Sequence, residues 1–278
     1  MPTELRIALP TFTLAAQVWG DAAAPPLLAV HGWLDNAASF ALLAPLLATR
    51  WRVIALDLPG HGHSEHLPAG ASYAYLEHVR HVLAAIDALQ LARCSLLGHS
   101  LGAGIAALCA AARPGQIDRL LLIEGLGPLG DDGTRTLQRF RDAWKEAATP
   151  GRPLRLFDDV EQAVRARAMA SGLRAELARP IVERGLIETG SGWRWRSDPR
   201  LTRTSATRLA EPQIHSLLAG VTAPTSLLLA EPATAYLPST LMEARAACVP
   251  QIKLSHLSGG HHLHLEHPEA VAAWLTDP

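Results

Sequence analysis

A serine stands between two glycines where the chain reads Gly98-His99-Ser100-Leu101-Gly102. This is a G-x-S-x-G pattern. The residues before it have the apolar character of a buried strand, and LGAGIAALCAAA after it reads as a helix. Such a corner holds a serine in a strained backbone conformation with its hydroxyl clear of the sheet. The flanking glycines remove side chains that would clash. The helix that follows aims its N-terminus at the same spot and favours negative charge there. An ordinary strand-to-helix turn is the plain alternative. The strand before and the helix after favour Ser100 as a nucleophile.

A serine hydroxyl is a weak nucleophile without a base. The segment SGGHHLHLEHPEAVA offers one: His261 and His262 follow a glycine pair, between the last apolar strand and the last helix. His261 is the candidate base. A carboxylate must then orient the imidazole and stabilise its cation. Glu124 and Glu231 each end an apolar run, and both keep the order nucleophile, acid, histidine. Glu124 is favoured because its strand directly follows that of the nucleophile. An oxyanion needs donors as well. The Leu101 amide, next to the nucleophile, is one candidate. The Trp33 amide in VHGWLDN is the other, since His31-Gly32 at a strand end allows the backbone to approach.

The remaining histidines receive plainer readings. His31 reads as a buried histidine bonded to backbone. His61, His63 and His66, in PGHGHSEH, read as solvent-facing or lying beside a lid. His78 and His81 fall on a long helix, and His99 is the variable position of the corner. His262, His264 and Glu266 have the spacing of metal ligands, but no second ligand pair accompanies them, so no metal is expected. No cofactor is expected either.

These residues need a scaffold. Up to about residue 125, short apolar runs alternate with longer periodic ones. ELRIALP and FTLAAQVWG read as a hairpin; PPLLAVHG, RVIALDLPG, RCSLLGHS and DRLLLIEG read as buried strands. Between them lie helical stretches, including residues 72–90, where Val79, Leu83, Ile86 and Leu89 share one face. Nearly all-apolar strands alternating with helices predict an α/β fold, its parallel sheet covered on both faces. From about 134 to 210 the chain turns Arg- and Ala-rich and reads as mostly helical, without a buried strand. Trp193 and Trp195 there are expected to pack this stretch onto the core. Strands resume at APTSLLLAE and IKLSHLSGG, and PEAVAAWL is the last helix. The expected organisation is a core of residues 1–125 and 211–278 with a helical insert at 126–210.

The 278 residues carry 25 basic and 26 acidic side chains, which argues against nucleic acid or an anionic membrane surface as a partner. Cys94, Cys109 and Cys248 are odd in number and widely spaced, which suits a reducing compartment rather than a disulfide framework. The opening MPTELRIALP lacks a signal-peptide profile, and a cytoplasmic location is expected.

Taken in order, HGW, DLPGHGHS, GHSLG and GGHHLHLEHPE resemble the α/β-hydrolase superfamily, and within it the serine hydrolase-like proteins. The resemblance covers nearly the whole chain. It implies an eight-stranded, mostly parallel sheet with residues 126–210 as a cap inserted after the sixth strand. It also implies Ser100 as nucleophile, His261 as base, and the Trp33 and Leu101 amides as the oxyanion hole. Most such relatives carry the acid in a Gly-x-x-Asp segment after the seventh strand. Here LAEPATAYLP has Ala233 and Thr234 in that place. Certain haloalkane dehalogenases place the acid after the sixth strand, the place of Glu124. A serine nucleophile implies acyl transfer, and the expected substrate is a small, mostly apolar ester or related acyl compound cleaved through an acyl-enzyme. Carbon–carbon bond hydrolysis is one alternative. A ligand-binding protein with little turnover is another.

Overall fold

The computed structural model describes residues 1–149 and 155–276. In chain order the elements begin with the hairpin β1 (Thr3–Ala8) and β2 (Thr13–Trp19), then β3 (Pro26–Val30) and the short α1 (Ala44–Leu47). Next come β4 (Arg52–Leu56), α2 (Tyr75–Ala88), β5 (Cys94–His99), α3 (Leu101–Ala112) and β6 (Ile117–Ile123). The insert contributes α4 (Thr136–Ala148), β7 (Leu156–Phe157), α5 (Val160–Ser171), α6 (Ala175–Gly185), β8 (Leu186–Thr189) and β9 (Gly192–Trp195). The core then resumes with α7 (Glu211–Leu218), β10 (Thr225–Glu231), α8 (Ser239–Ala246), β11 (Ile252–Ser258), α9 (Leu263–Glu266) and α10 (Pro268–Thr276).

The main sheet has eight strands in the order β1-β2-β4-β3-β5-β6-β10-β11. The β1/β2 and β2/β4 pairs are antiparallel, and the pairs from β4 through β11 are parallel. Strand periodicity splits the apolar residues between two layers. In β3, Leu28 and Val30 join the layer under α2 and α3, while Leu27 and Ala29 face the layer under α1 and α10. Ile54 and Leu56 against Val53 and Ala55 do the same in β4. Such a sheet is buried on both faces, so its strands read as continuous apolar runs. No helix among the described residues is long and apolar enough to cross a membrane.

The insert departs from the helical expectation. It holds a three-stranded antiparallel sheet, in the order β7-β9-β8, beside its helices. Strands of two and four residues are too short for an alternating pattern to stand out in the sequence. Trp193 and Trp195 pack against Phe157 in the insert's own cluster rather than on the core. The two stems of the insert meet where Asp131 bridges Ala210.

Side chains fasten the insert to the loops beyond the parallel strands. Asn36 donates to the Ile181 carbonyl at 2.8 Å, and the Trp33 indole donates to the Leu201 carbonyl at 3.1 Å. Arg184 pairs with Asp57 at 2.8 Å, with 4% and 0% of the two side chains exposed.

Candidate active site

Ser100 joins β5 to α3 with φ 52° and ψ −116°. A side chain at Gly98 would run into the backbone of Ala103, and one at Gly102 into the carbonyls of Val30 and His31. The glycines therefore let α3 start directly against the end of β3. That contact brings the Leu101 amide to the turn holding Trp33. As the first residue of α3, Leu101 has an N–H that the helix itself cannot satisfy.

Among the described residues, four non-glycines have positive φ: Leu34, Gln90, Ser100 and Glu124. Three of them lie at this one place in the fold. Such conformations cost about 1–3 kcal/mol each and persist where the surroundings over-determine them, commonly at functional sites.

Glu124 follows β6 and is 2% exposed. Its Oε1 accepts from the Ala230 amide, and its Oε2 accepts from His261 Nδ1 at 2.9 Å and from the Thr234 hydroxyl at 3.3 Å. With its Nδ1 proton given to Glu124, neutral His261 keeps its lone pair on Nε2, the tautomer a general base requires. Burial pushes the His261 imidazole below its ordinary pKa; the Glu124 hydrogen bond opposes that, and the neighbouring His99 adds to it. Glu231, the other candidate acid, is exposed at the end of β10 and contributes its backbone carbonyl to the Gly259 amide.

Three short links close a ring around the corner. The Ser100 amide donates to the Ile123 carbonyl at 2.9 Å, one residue before Glu124. Glu124 holds His261. His99 Nε2, one residue before Ser100, donates to the His261 carbonyl at 2.9 Å. The structure thus brings the segments of Ser100, Glu124 and His261 together, and it leaves Glu231 aside.

Two neutral histidines fix the turn that carries Trp33. His31 donates from Nδ1 to the Gly32 carbonyl at 2.7 Å, and its Nε2 accepts from the Leu58 amide at 3.0 Å. Burial pushes His31 down to about 4. His61 donates from Nδ1 to the Pro59 carbonyl at 3.0 Å and accepts at Nε2 from the Leu34 amide at 3.3 Å. His61 is 1% exposed, so the solvent-facing expectation fails for it. Burial pushes it down to about 3, and the loop closes over it because both ring nitrogens find backbone partners. His66 does face outward, bonded to the Arg196 carbonyl of the insert.

Asp35 is the residue that sequence reading missed. It is 3% exposed, beside His99, His262 and the insert's Arg167. Burial opposes its charge, but the imidazoles of His262 and His99 and the Arg167 cation outweigh burial and hold its carboxyl well below the usual range. Asp35, His99 and His262 are the group of side chains, among those described, whose spacing would suit a metal ion. His262, His264 and Glu266, the spacing set aside as a metal site in the sequence, have other partners: Glu266 accepts from the Gly260 amide, and His264 Nε2 lies 2.8 Å from the Ser39 hydroxyl. The only sequence signal for Asp35 is its place two residues after Trp33.

An eight-stranded sheet with a serine on this corner and a buried Glu–His pair beside it defines a hydrolase of the α/β type. The family model for the alpha/beta hydrolase fold matches residues 25–268, and the chain belongs to that family, among its serine hydrolase-like members. A serine hydrolase-like protein of Danio rerio is 30% identical over 285 residues, covering 99% of this chain and 87% of that protein. The structure of the hypothetical protein PA1622 from Pseudomonas aeruginosa PAO1 is 39% identical with a TM-score of 0.90, covering 98% of this chain and 97% of that one. The thioesterase domain from the curacin biosynthetic pathway is 27% identical with a TM-score of 0.86, and all of both chains is covered.

Proposed function

We propose that the protein is a serine hydrolase that cleaves a small, mostly apolar ester or related acyl compound through an acyl-enzyme. Ser100 is the nucleophile. His261 takes its proton at Nε2 and later activates the water that releases the acyl group. Glu124 keeps the proton on Nδ1 and stabilises the imidazolium. The Trp33 and Leu101 amides receive the oxyanion, and residues 126–210 form the cap over the substrate.

The observation that carries this reading is the 2.9 Å contact between His261 Nδ1 and the buried Glu124 carboxylate. It supplies an acid although Ala233 and Thr234 stand where aspartate is usual. A missing acid would favour a binding protein with little turnover, and a carboxylate on the imidazole weighs against that alternative. The name of the curacin domain adds thioesters to the acyl compounds to test.

A fluorophosphonate probe tests the reading. It is expected to label wild-type protein and to leave Ser100→Ala unlabelled. Absence of labelling, together with no turnover of p-nitrophenyl esters or acyl thioesters of graded length, would overturn it.

A further inference from the structure

Asp35 occupies a position that joins four parts of the molecule. Oδ1 pairs with Arg167, which comes from α5 of the insert. Oδ2 lies 3.4 Å from His262 Nε2 and 3.6 Å from His99 Nδ1, and it accepts from the Ser39 hydroxyl at 3.4 Å. His262 adjoins the proposed base, and His99 adjoins the proposed nucleophile. One carboxylate therefore touches the insert, the turn bearing Trp33, the serine corner and the histidine loop.

The proton inventory makes the arrangement directional. A carbonyl only accepts, so His99 must use its Nε2 proton on the His261 carbonyl. Its other nitrogen, Nδ1, is buried without a hydrogen-bond partner among the described residues and faces Asp35. Burial holds the His99 imidazole below its ordinary pKa and the Asp35 carboxylate opposes that, so Asp35 bears directly on the ring that grips His261. Apolar packing follows the same route: Leu265 of α9 packs with Leu173, Leu177 and Ile181 of the insert. The cap thus reaches the histidine loop through both a charge and an apolar contact.

Two imidazoles and a carboxylate are also the donors of a transition-metal site. Arg167 speaks against that use. Its guanidinium already neutralises Asp35, and a dication would add two positive charges beside it in a buried cluster.

We propose that Asp35 is a positioning residue for the hydrolytic reaction and that Arg167 couples the seating of the cap to the loop that carries His261. This rests on the Ser100–His261–Glu124 reading. Asp35 acts through His99 and His262 rather than on substrate. When the cap lifts, Arg167 leaves and Asp35 is no longer pinned beside His99 and His262, so the grip on the histidine loop weakens. Hydrolysis is then favoured only with the cap seated.

The test compares wild type with Asp35→Asn, Arg167→Gln, Arg167→Lys and the Asp35→Asn/Arg167→Gln double variant. Each is first checked for a cooperative thermal transition. With a p-nitrophenyl ester, Asp35→Asn is expected to lower kcat about tenfold to a hundredfold, the scale of a small misplacement of reacting groups, with KM little changed. Arg167→Gln is expected to do the same to a lesser extent, Arg167→Lys to recover most of the loss, and the double variant to be no worse than Asp35→Asn. The acid limb of the pH profile is expected to move to lower pH in Asp35→Asn. His261 faces Glu124, His99, His262, Asp35 and the Tyr236 ring, and removing the Asp35 charge disfavours its cation. A merely structural role for Asp35 would leave that limb in place.

Wild-type kcat and an unmoved acid limb in folded Asp35→Asn would overturn the proposal, as would single effects that multiply in the double variant. If Asp35→Asn does not fold, the Arg167→Gln and Arg167→Lys pair decides, with equal wild-type activity in both as the overturning result. Failure of the hydrolase reading would show separately, as wild-type protein whose Ser100 takes no fluorophosphonate. An NMR titration of His261 would still read the coupling: a lower pKa in Asp35→Asn sustains it, and an unchanged one overturns it.

Discussion

Thr234 donates its hydroxyl to Glu124 at 3.3 Å, on the same carboxylate oxygen that meets His261 at 2.9 Å. The residue standing where relatives usually carry the acid thus bonds to the proposed acid, which comes from the neighbouring strand. Both β6 and β11 pair with β10, so a carboxylate after β6 reaches the histidine loop after β11 across a single strand end.

Glu124→Gln removes the charge and reverses the hydrogen-bond preference at His261 Nδ1. Ester turnover is expected to fall by about three to four orders of magnitude, the loss typical of a triad left with the wrong tautomer. Glu231→Gln is expected to stay within about twofold of wild type on the same scale. Steady-state kinetics on one chromogenic ester reads both; a larger loss in Glu231→Gln would reassign the acid.

Ser100 stores backbone strain at its positive φ. Glycine tolerates φ 52° without a Cβ penalty. Ser100→Gly is therefore expected to be more stable than Ser100→Ala by about 1 kcal/mol, both being inactive. Urea denaturation of the two variants measures the difference, and equal midpoints would mean the corner is unstrained.

Three buried histidines make stability depend on pH. Burial pushes His31 to about 4, and His61 and His78 to about 3. In the unfolded chain they take up protons below the ordinary value of about 6.5, while in the folded chain they stay neutral. The unfolded state then binds more protons, so stability is complete above that value and falls as pH drops towards 4 and 3. Each histidine contributes a slope of about 1.4 kcal/mol per pH unit over that window. His78, whose Nδ1 has no hydrogen-bond partner among the described residues, is the one to replace. His78→Leu is expected to flatten the slope by one histidine in denaturant titrations at pH 7, 6 and 5, and an unaltered slope would contradict the assignment.

Arg184 and Asp57 tie the insert to the loop after β4 with both side chains buried. Asp57 also accepts from the amides of Ala37 at 2.7 Å and His63 at 2.8 Å. Removing one partner leaves a buried charge uncompensated, so Arg184→Met is expected to cost about 3–5 kcal/mol. Arg93→Met, which breaks an exposed pair with Asp118, is expected to cost less than about 1 kcal/mol. Comparable losses in chemical denaturation would show that Asp57 is stabilised by its amides alone.

Much of this fold was legible because strands buried on both faces leave continuous apolar runs. Leu27 to Val30 and Cys94 to Leu97 announce themselves without any partner being known. The serine corner was legible because its glycines answer a local demand. The choice between Glu124 and Glu231 depended instead on which strand ends lie together, and strand order is not written in any single segment. Asp35 and Arg167 are 132 positions apart and look like ordinary surface charges until the insert folds back over the turn. His61 misled for a related reason: PGHGHSEH is polar enough to resemble a solvated loop, yet its imidazole completes backbone hydrogen bonds that the interior would otherwise leave open.

The bridge between Asp131 and Ala210 has an evolutionary consequence. Because both stems meet there, material added or lost beyond that neck leaves the register of the large sheet untouched, so specificity can drift while the reactive corner stays the same. That freedom is bounded by the clasps at Asp35, Asn36 and Asp57. A chimera carrying a foreign lid must supply matching counterparts to all three, and grafts chosen by length alone will sit askew.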